Sequence, residues 1–145
     1  MQPSPRFAHS DVSSGPRLKV AAALAGLAGL GFGIPGAIGM KHLAETGQTW
    51  VFMGFPTYGD GPFERIGVGS SVPLLGAFVG VCAAEVAAGY LLLRGSRAGV
   101  WLSHGLLPLE AVFWTGFALP FGPPLGIART LLIISQRRRV DANDT

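Results

Sequence analysis

The sequence contains few of the residues from which disulfides, metal sites and nucleotide sites are built. Its single cysteine, Cys82, allows no intramolecular disulfide and no relay between two thiols. The three histidines, His9, His42 and His104, lack the spacing of zinc ligands. The many glycines follow no phosphate-binding pattern. We therefore predict no metal and no cofactor, and no catalytic motif identifies the chain as an enzyme.

Charge is also scarce, because charged residues make up 13% of the 145 residues whereas apolar residues make up 49%. The mean hydropathy of +0.44 is typical of an integral membrane protein and not of a soluble domain. Although the net charge is +3, the basic residues lie beside apolar segments and form no basic face with interleaved aromatic residues. The sequence therefore predicts the lipid bilayer as a partner and does not predict nucleic acid.

Four apolar segments approach the roughly 20 helical residues that cross a hydrocarbon core about 30 Å thick. They are residues 20–40, 71–93, 98–117 and 120–136. The fourth begins in the helix-breaking stretch PFGPP, which leaves only about 18 Å of uninterrupted helix, so a re-entrant segment is the alternative. We predict an all-α integral membrane protein, a four-helix transmembrane bundle whose fourth helix begins between Phe117 and Pro124.

The distribution of basic residues favours four spans over three. Four spans place eight basic residues on one side of the membrane and only Lys41 and Arg65 on the other. The eight are Arg6, Arg17, Lys19, Arg94, Arg97, Arg137, Arg138 and Arg139. Because basic residues remain on the inner side, we predict a multi-pass protein of the plasma membrane, with cytoplasmic tails at residues 1–19 and 137–145 and a membrane domain at residues 20–136. A signal peptide is the alternative for the first segment, although its apolar run and its leader are long for one.

Small residues recur every four positions in the first two segments. They are Ala25, Gly29, Gly33 and Ala37 in the first segment, and Gly76, Gly80, Ala84 and Ala88 in the second. Lipid tails are as apolar as leucine, so membrane helices associate mainly by close packing, which small residues permit. We therefore expect the first two helices to pack against each other.

Four charged or polar residues lie within the last three apolar segments, where an unpaired charge costs at least a few kcal/mol. They are Glu85, His104, Glu110 and Arg129. At about 1.5 Å per residue, Glu85 and Arg129 each lie about 12 Å from the cytoplasmic end of their helix. On the same scale His104 lies at about 9 Å and Glu110 at about 18 Å. Because a buried arginine keeps its charge, Arg129 needs an anion, and we predict Glu85 first and Glu110 second.

This predicted polar cluster has two interpretations. It is either a packing device that fixes how the helices align or a functional site within the membrane. His104 is by the same reasoning either an ordinary core histidine or a proton relay.

A long outer loop joins the first two segments and is rich in aromatic residues. These are Trp50, Phe52, Phe55, Tyr58 and Phe63. The glycines and prolines between them favour turns, so the loop is not a fifth span. Aromatic side chains favour the boundary between lipid and water, so one interpretation is a loop folded onto the outer interface. The other is a lid over a cavity that opens outward between the helices.

Two segments resemble the DoxX-like group of small four-helix membrane proteins. The first is GAIGMKHL at residues 36–43, which ends a glycine-rich helix. The second is AEVAAGYLLLRGSRAG at residues 84–99, in which a glutamate precedes an apolar run, a glycine and an arginine. The resemblance extends over roughly residues 20–135. It implies that Glu85 is the acid of the group's second helix, and that the chain is a membrane subunit, as some members are in oxidoreductase systems.

Two classes of function are consistent with the sequence. The first is a non-enzymatic subunit or scaffold of a membrane complex that binds other membrane proteins, and we favour it because the sequence contains no catalytic motif. The second is a binder, transporter or isomerase of a lipophilic small molecule, in a pocket lined by Glu85, Glu110 and His104. The two classes differ in whether these polar residues surround a void or pack solidly against one another.

Overall fold

The computed structural model describes the backbone of residues 15–143 and the side chains of residues 15–138. This part of the chain contains five helices and one short hairpin. In chain order the elements are α1 (Pro16–Thr46), β1 (Val51–Phe52), β2 (Phe55–Pro56), α2 (Pro62–Arg65), α3 (Val72–Leu93), α4 (Arg97–Gly116) and α5 (Gly122–Asn143). Residues 1–14, most of the predicted amino-terminal tail, lie outside the described residues, as do residues 144 and 145.

The four long helices, α1, α3, α4 and α5, pack in a ring in which each helix contacts two others. α1 packs against α3 and α5, and α4 packs against the same two helices. Among the described residues no close backbone approach joins α3 to α5 or α1 to α4, so the members of each pair lie across the ring from each other. The core lies in the space that these four helices enclose.

α1 and α3 pack closely, and the expectation drawn from their small residues is right for α1 and only partly right for α3. A Cβ atom added to Gly29 of α1 would lie 2.7 Å from the carbonyl oxygen of Cys82 in α3. A Cβ atom added to Gly89 of α3 would lie 3.0 Å from the carbonyl oxygen of Ala22. Gly80, by contrast, has open space where a Cβ atom would lie. The face of α3 that meets α1 is therefore rotated away from Gly80.

α5 is longer than the fourth apolar segment predicts. It begins at Gly122, with Pro123 and Pro124 in its first turn, where backbone N–H groups have no partner within the helix and proline is tolerated. The stretch PFGPP therefore separates α4 from α5, and its last three residues begin α5. α5 continues to Asn143, so residues 137–143, predicted as a tail, are helical. Its 22 residues extend about 33 Å.

The boundaries of α3 and α4 lie closer to the prediction than those of α1 and α5. α3 and α4 begin and end within one residue of the predicted segments 71–93 and 98–117. α1 extends beyond residues 20–40 at both ends, because Pro16 is well suited to a first helical turn and no helix breaker follows Met40 before Gly47. Gly47 ends the helix in the left-handed region, at a φ of 69° that glycine adopts without strain.

Two of the described helices, α1 and α3, are long and apolar enough to cross a membrane. α4 and α5 have comparable lengths of 20 and 22 residues, but neither has a stretch as apolar as those of α1 and α3. Length and composition therefore support two membrane-crossing helices, fewer than the four that the sequence predicts.

Candidate functional site: a buried charged cluster

Arg129 of α5 lies between two glutamates of other helices. Its Nη1 atom donates to Glu85 Oε1 of α3 at 2.6 Å and to Glu110 Oε1 of α4 at 3.1 Å. Its Nη2 atom donates to Glu110 Oε2 at 2.7 Å and to the backbone carbonyl of Ser103 at 3.3 Å. Arg129 therefore binds Glu110 with both nitrogens and Glu85 with one. We call these three side chains and the Ser103 carbonyl the charged cluster.

The charged cluster is shielded from solvent. The exposed fraction is 1% for the side chains of Arg129 and Glu110 and 4% for that of Glu85. Charge-assisted hydrogen bonds are stronger than neutral ones, and a low local dielectric strengthens them further. The cluster therefore joins α3, α4 and α5 through interactions that water does not weaken.

The orientation of each helix about its own axis determines which side chains contact one another. On α4 the residues Ser103, Leu106, Glu110 and Phe113 are all buried, at the three- and four-residue spacing that defines one face of a helix. Arg129 reaches Glu85 from α5, the helix across the ring from α3. A long, flexible side chain is needed for this, because the backbones of the two helices do not approach each other.

Two apolar layers enclose the charged cluster. An aliphatic layer lies towards the end of the bundle at which a short turn connects α3 to α4. Its buried members are Leu18, Ala21, Ala22, Leu92, Val100 and Ile133. An aromatic layer lies at the other end, and its buried members are Tyr58, Leu75, Phe78, Cys82, Phe113 and Phe117. The order along α3, from Phe78 through Glu85 to Leu92, places the charges between the two layers.

His104, predicted as a member of this cluster, has no hydrogen bond to Glu85, Glu110 or Arg129 among the described residues. Its Nδ1 atom donates to the carbonyl of Val100, one turn earlier in α4, at 2.7 Å. Successive helical residues differ by about 100° in direction, and His104 is only half-buried whereas its neighbour Ser103 is buried. Ser103 was not predicted, although it lies seven residues, about two turns, before Glu110 on the same helix.

Three polar atoms in this region have no hydrogen bond among the described residues. They are Ser103 Oγ, Arg129 Nε and the second carboxyl oxygen of Glu85. The first two are fully buried. Buried polar groups normally have partners, so these atoms leave the cluster with unused capacity for a small polar species.

The predicted aromatic set of the outer loop divides into buried and exposed members. Tyr58 is buried, and its ring centroid lies 5.1 Å from that of Phe78 and 5.3 Å from that of Phe117. Phe63 lies in the one-turn helix α2, and its ring centroid is 5.2 Å from that of Phe117. The remaining three are the half-buried Trp50 and the exposed Phe52 and Phe55 of the β1–β2 hairpin. The loop thus closes one end of the helix ring with Tyr58 and Phe63.

Hydrogen bonds hold this loop in place. The hydroxyl of Tyr58 donates to the carbonyl of Phe32 in α1 at 2.8 Å, and burial raises the pKa of that phenol, so it keeps its proton. Glu64 accepts from the backbone N–H of Asp60 at 2.7 Å and lies 3.0 Å from the hydroxyl of Ser70. The Asp60 hydrogen bond, followed by the contacts with Ser70, holds the pKa of Glu64 below its usual value although partial burial opposes the shift.

Two apolar grooves lie on the outside of the helix ring, away from the charged cluster. One lies between the loop and α4 and is lined by Pro62, Phe63, Ile66, Ala111, Val112 and Thr115. The other lies between α1 and α5 and is lined by Leu27, Gly31, Phe32, Phe121, Pro124 and Leu125. Neither of these grooves is lined by Glu85, Glu110 or Arg129. Among the described residues there is also no group of acidic, histidine or cysteine side chains that could hold a metal ion.

Comparison of the chain with known protein families, with curated proteins and with solved structures found no match.

We expect Tyr58→Phe to lower the free energy of unfolding in detergent by about 1 kcal/mol, because it removes one buried hydrogen bond and leaves the ring in place. Tyr90→Phe is the matched control. The Tyr90 hydroxyl accepts from Arg94 on an exposed surface, so its loss should change stability little. Equal effects of the two substitutions would show that the Tyr58 hydroxyl does not anchor the loop.

Proposed function

We propose that the chain is a multi-pass membrane protein whose four long helices form a transmembrane bundle, and that it serves as a non-enzymatic subunit or scaffold of a membrane complex. The observation that carries this proposal is that the buried charged side chains bind one another. Arg129 takes up three of the four carboxyl oxygens of Glu85 and Glu110. A cluster arranged in this way holds helices together and leaves only one of the four carboxyl oxygens without a hydrogen bond among the described residues.

Insertion of α4 and α5, in addition to α1 and α3, is supported by their outward surfaces. Large apolar side chains are exposed on both helices, including Leu109 and Val112 on α4 and Ile127 and Leu131 on α5. The charged residues Glu110 and Arg129 face inward and are buried. Charges within membrane helices characteristically face the protein interior and pair there, so α4 and α5 have the pattern of lipid-exposed helices despite their lower hydropathy.

A common location of the basic residues supports the proposal that both termini are cytoplasmic. Arg17, near the start of α1, donates to the carbonyl of Ser135 near the end of α5. Arg137 of α5 lies over the ring of Trp101 at the start of α4, 5.9 Å from its centroid. These contacts place the basic ends of α1, α4 and α5 at the same end of the bundle. This is the arrangement expected of a cytoplasmic face in a plasma-membrane protein.

The alternative, a lipophilic-ligand pocket lined by Glu85, Glu110 and His104, has less support. Glu85 and Glu110 face Arg129, and His104 is bonded to its own helix. Kinship with the DoxX-like group remains a proposal that rests on the segments at residues 36–43 and 84–99. It agrees with a role as a membrane subunit.

The proposed topology predicts which positions a membrane-impermeant thiol reagent can reach. We expect Phe55→Cys to be labelled only from outside, and Ser13→Cys and Asn143→Cys only from inside, each in a Cys82→Ala background. Phe55 is 75% exposed, so failure to react cannot be attributed to burial. Labelling of all three positions from the same side would contradict the four-span arrangement.

The proposed role is tested by purifying the tagged chain from its native membrane in mild detergent and identifying both proteins and lipids. We expect another membrane protein to copurify in fixed stoichiometry with the unaltered chain and with a Glu64→Ala control, because Glu64 lies outside the charged cluster. A chain that purifies alone with one lipophilic molecule bound, and loses that molecule when Glu85 is replaced by alanine, would favour the alternative and contradict the proposed role.

A further inference from the structure

We propose that the charged cluster is a binding site for one exchangeable proton, which Glu85 carries. This inference concerns the chemistry of the site and does not depend on which complex the chain joins. It follows from a count of charges, from an asymmetry in the hydrogen bonds and from the unpartnered polar atoms of the cluster.

The charges of the cluster do not balance if both acids are ionised. Two carboxyl groups face one guanidinium, and a guanidinium is not deprotonated in proteins. Two carboxylates would leave a net charge of −1 on side chains that are at most 4% exposed. An uncompensated buried charge costs so much free energy that the group neutralises instead. One proton on one carboxyl group makes the cluster neutral.

The surroundings supply no second cation. The buried side of α1 consists of alanine, glycine and leucine residues. On α3 the nearest titratable side chain is the buried thiol of Cys82, and a thiol can supply no positive charge. On α4, His104 bonds to Val100 and makes no ion pair within the described part of the chain. On α5, Arg129 is the only buried cation among the described residues.

The hydrogen bonds distinguish the two acids. Glu110 accepts from Arg129 with both oxygens, at 2.7 and 3.1 Å, which is the bidentate geometry that favours an ionised carboxylate. Glu85 accepts with one oxygen only, at 2.6 Å. Its other oxygen has no hydrogen bond among the described residues and is free to bond a proton. Proton uptake therefore converts the Glu85 carboxylate to a carboxylic acid and changes no other covalent bond.

The unpartnered atoms of the cluster supply a third, independent observation. Ser103 Oγ and Arg129 Nε are both buried without a hydrogen-bond partner, and both residues already take part in the cluster through the Nη2 contact. A serine hydroxyl can both donate and accept, so Ser103 can serve a protonated or an ionised neighbour. The site thus has the polar capacity that exchange of a proton requires.

Infrared spectroscopy of the purified chain in lipid nanodiscs tests the proposal, because a protonated carboxyl group has a carbonyl stretching band that a carboxylate lacks. At neutral pH we expect one band from a buried carboxylic acid, which decreases reversibly as the pH is raised. Glu85→Gln should abolish the band, and Glu64→Gln, outside the cluster, should leave it unchanged. Absence of the band, or a band that persists in Glu85→Gln, would overturn the proposal.

Aspartate substitutions identify the carrier, since they keep the acid and shift its band. We expect Glu85→Asp to shift the band and Glu110→Asp to leave it in place. A shift in Glu110→Asp alone would overturn the assignment of the proton to Glu85. The helical circular dichroism of each variant in the same nanodiscs should match that of the unaltered chain, and only variants that meet this condition are compared.

Discussion

A guanidinium that can neither reach water nor lose its proton requires anions beside it, and the core of this protein is arranged around that requirement. Arg129 is 1% exposed, and its partners come from two other helices. Glu85 on α3 and Glu110 on α4 must therefore lie at the depth of Arg129 and face it. The rotation and the axial position of three helices are thereby coupled to one side chain.

Stability alone does not explain a charged layer in so apolar a protein, because apolar replacements of a buried ion pair are often neutral or stabilising. The cluster does specify alignment, since a helix shifted by one turn, about 5.4 Å, would separate the charges. The aliphatic and aromatic layers on either side exclude water from it. Tyr58 and Phe63 complete the aromatic layer from the loop, so the loop contributes to the environment of charges that it does not touch.

The position of a residue along its helix axis could be predicted from the sequence more readily than the direction in which its side chain points around that axis. Glu85 and Arg129 could be paired because a fixed rise per residue places both at one depth. The same reasoning grouped His104, which bonds to its own helix, with these residues and missed Ser103, because depth carries no information about rotation. The anchoring of Tyr58 depends on a carbonyl of α1 that only the folded chain brings near. The prolines around the start of α5 were ambiguous for a local reason, since proline both ends a helix and suits the first turn of the next.

The unfolding free energy of Arg129→Met, compared with that of a triple variant that also carries Glu85→Gln and Glu110→Gln, tests most directly whether the core depends on this arginine. Removal of Arg129 alone should cost about 3–5 kcal/mol near neutral pH, because it leaves the buried Glu110 carboxylate without a cation. The triple variant, which buries no charge, should recover a large part of that loss. A single variant as stable as the unaltered chain, or a triple variant no more stable than the single one, would contradict the account.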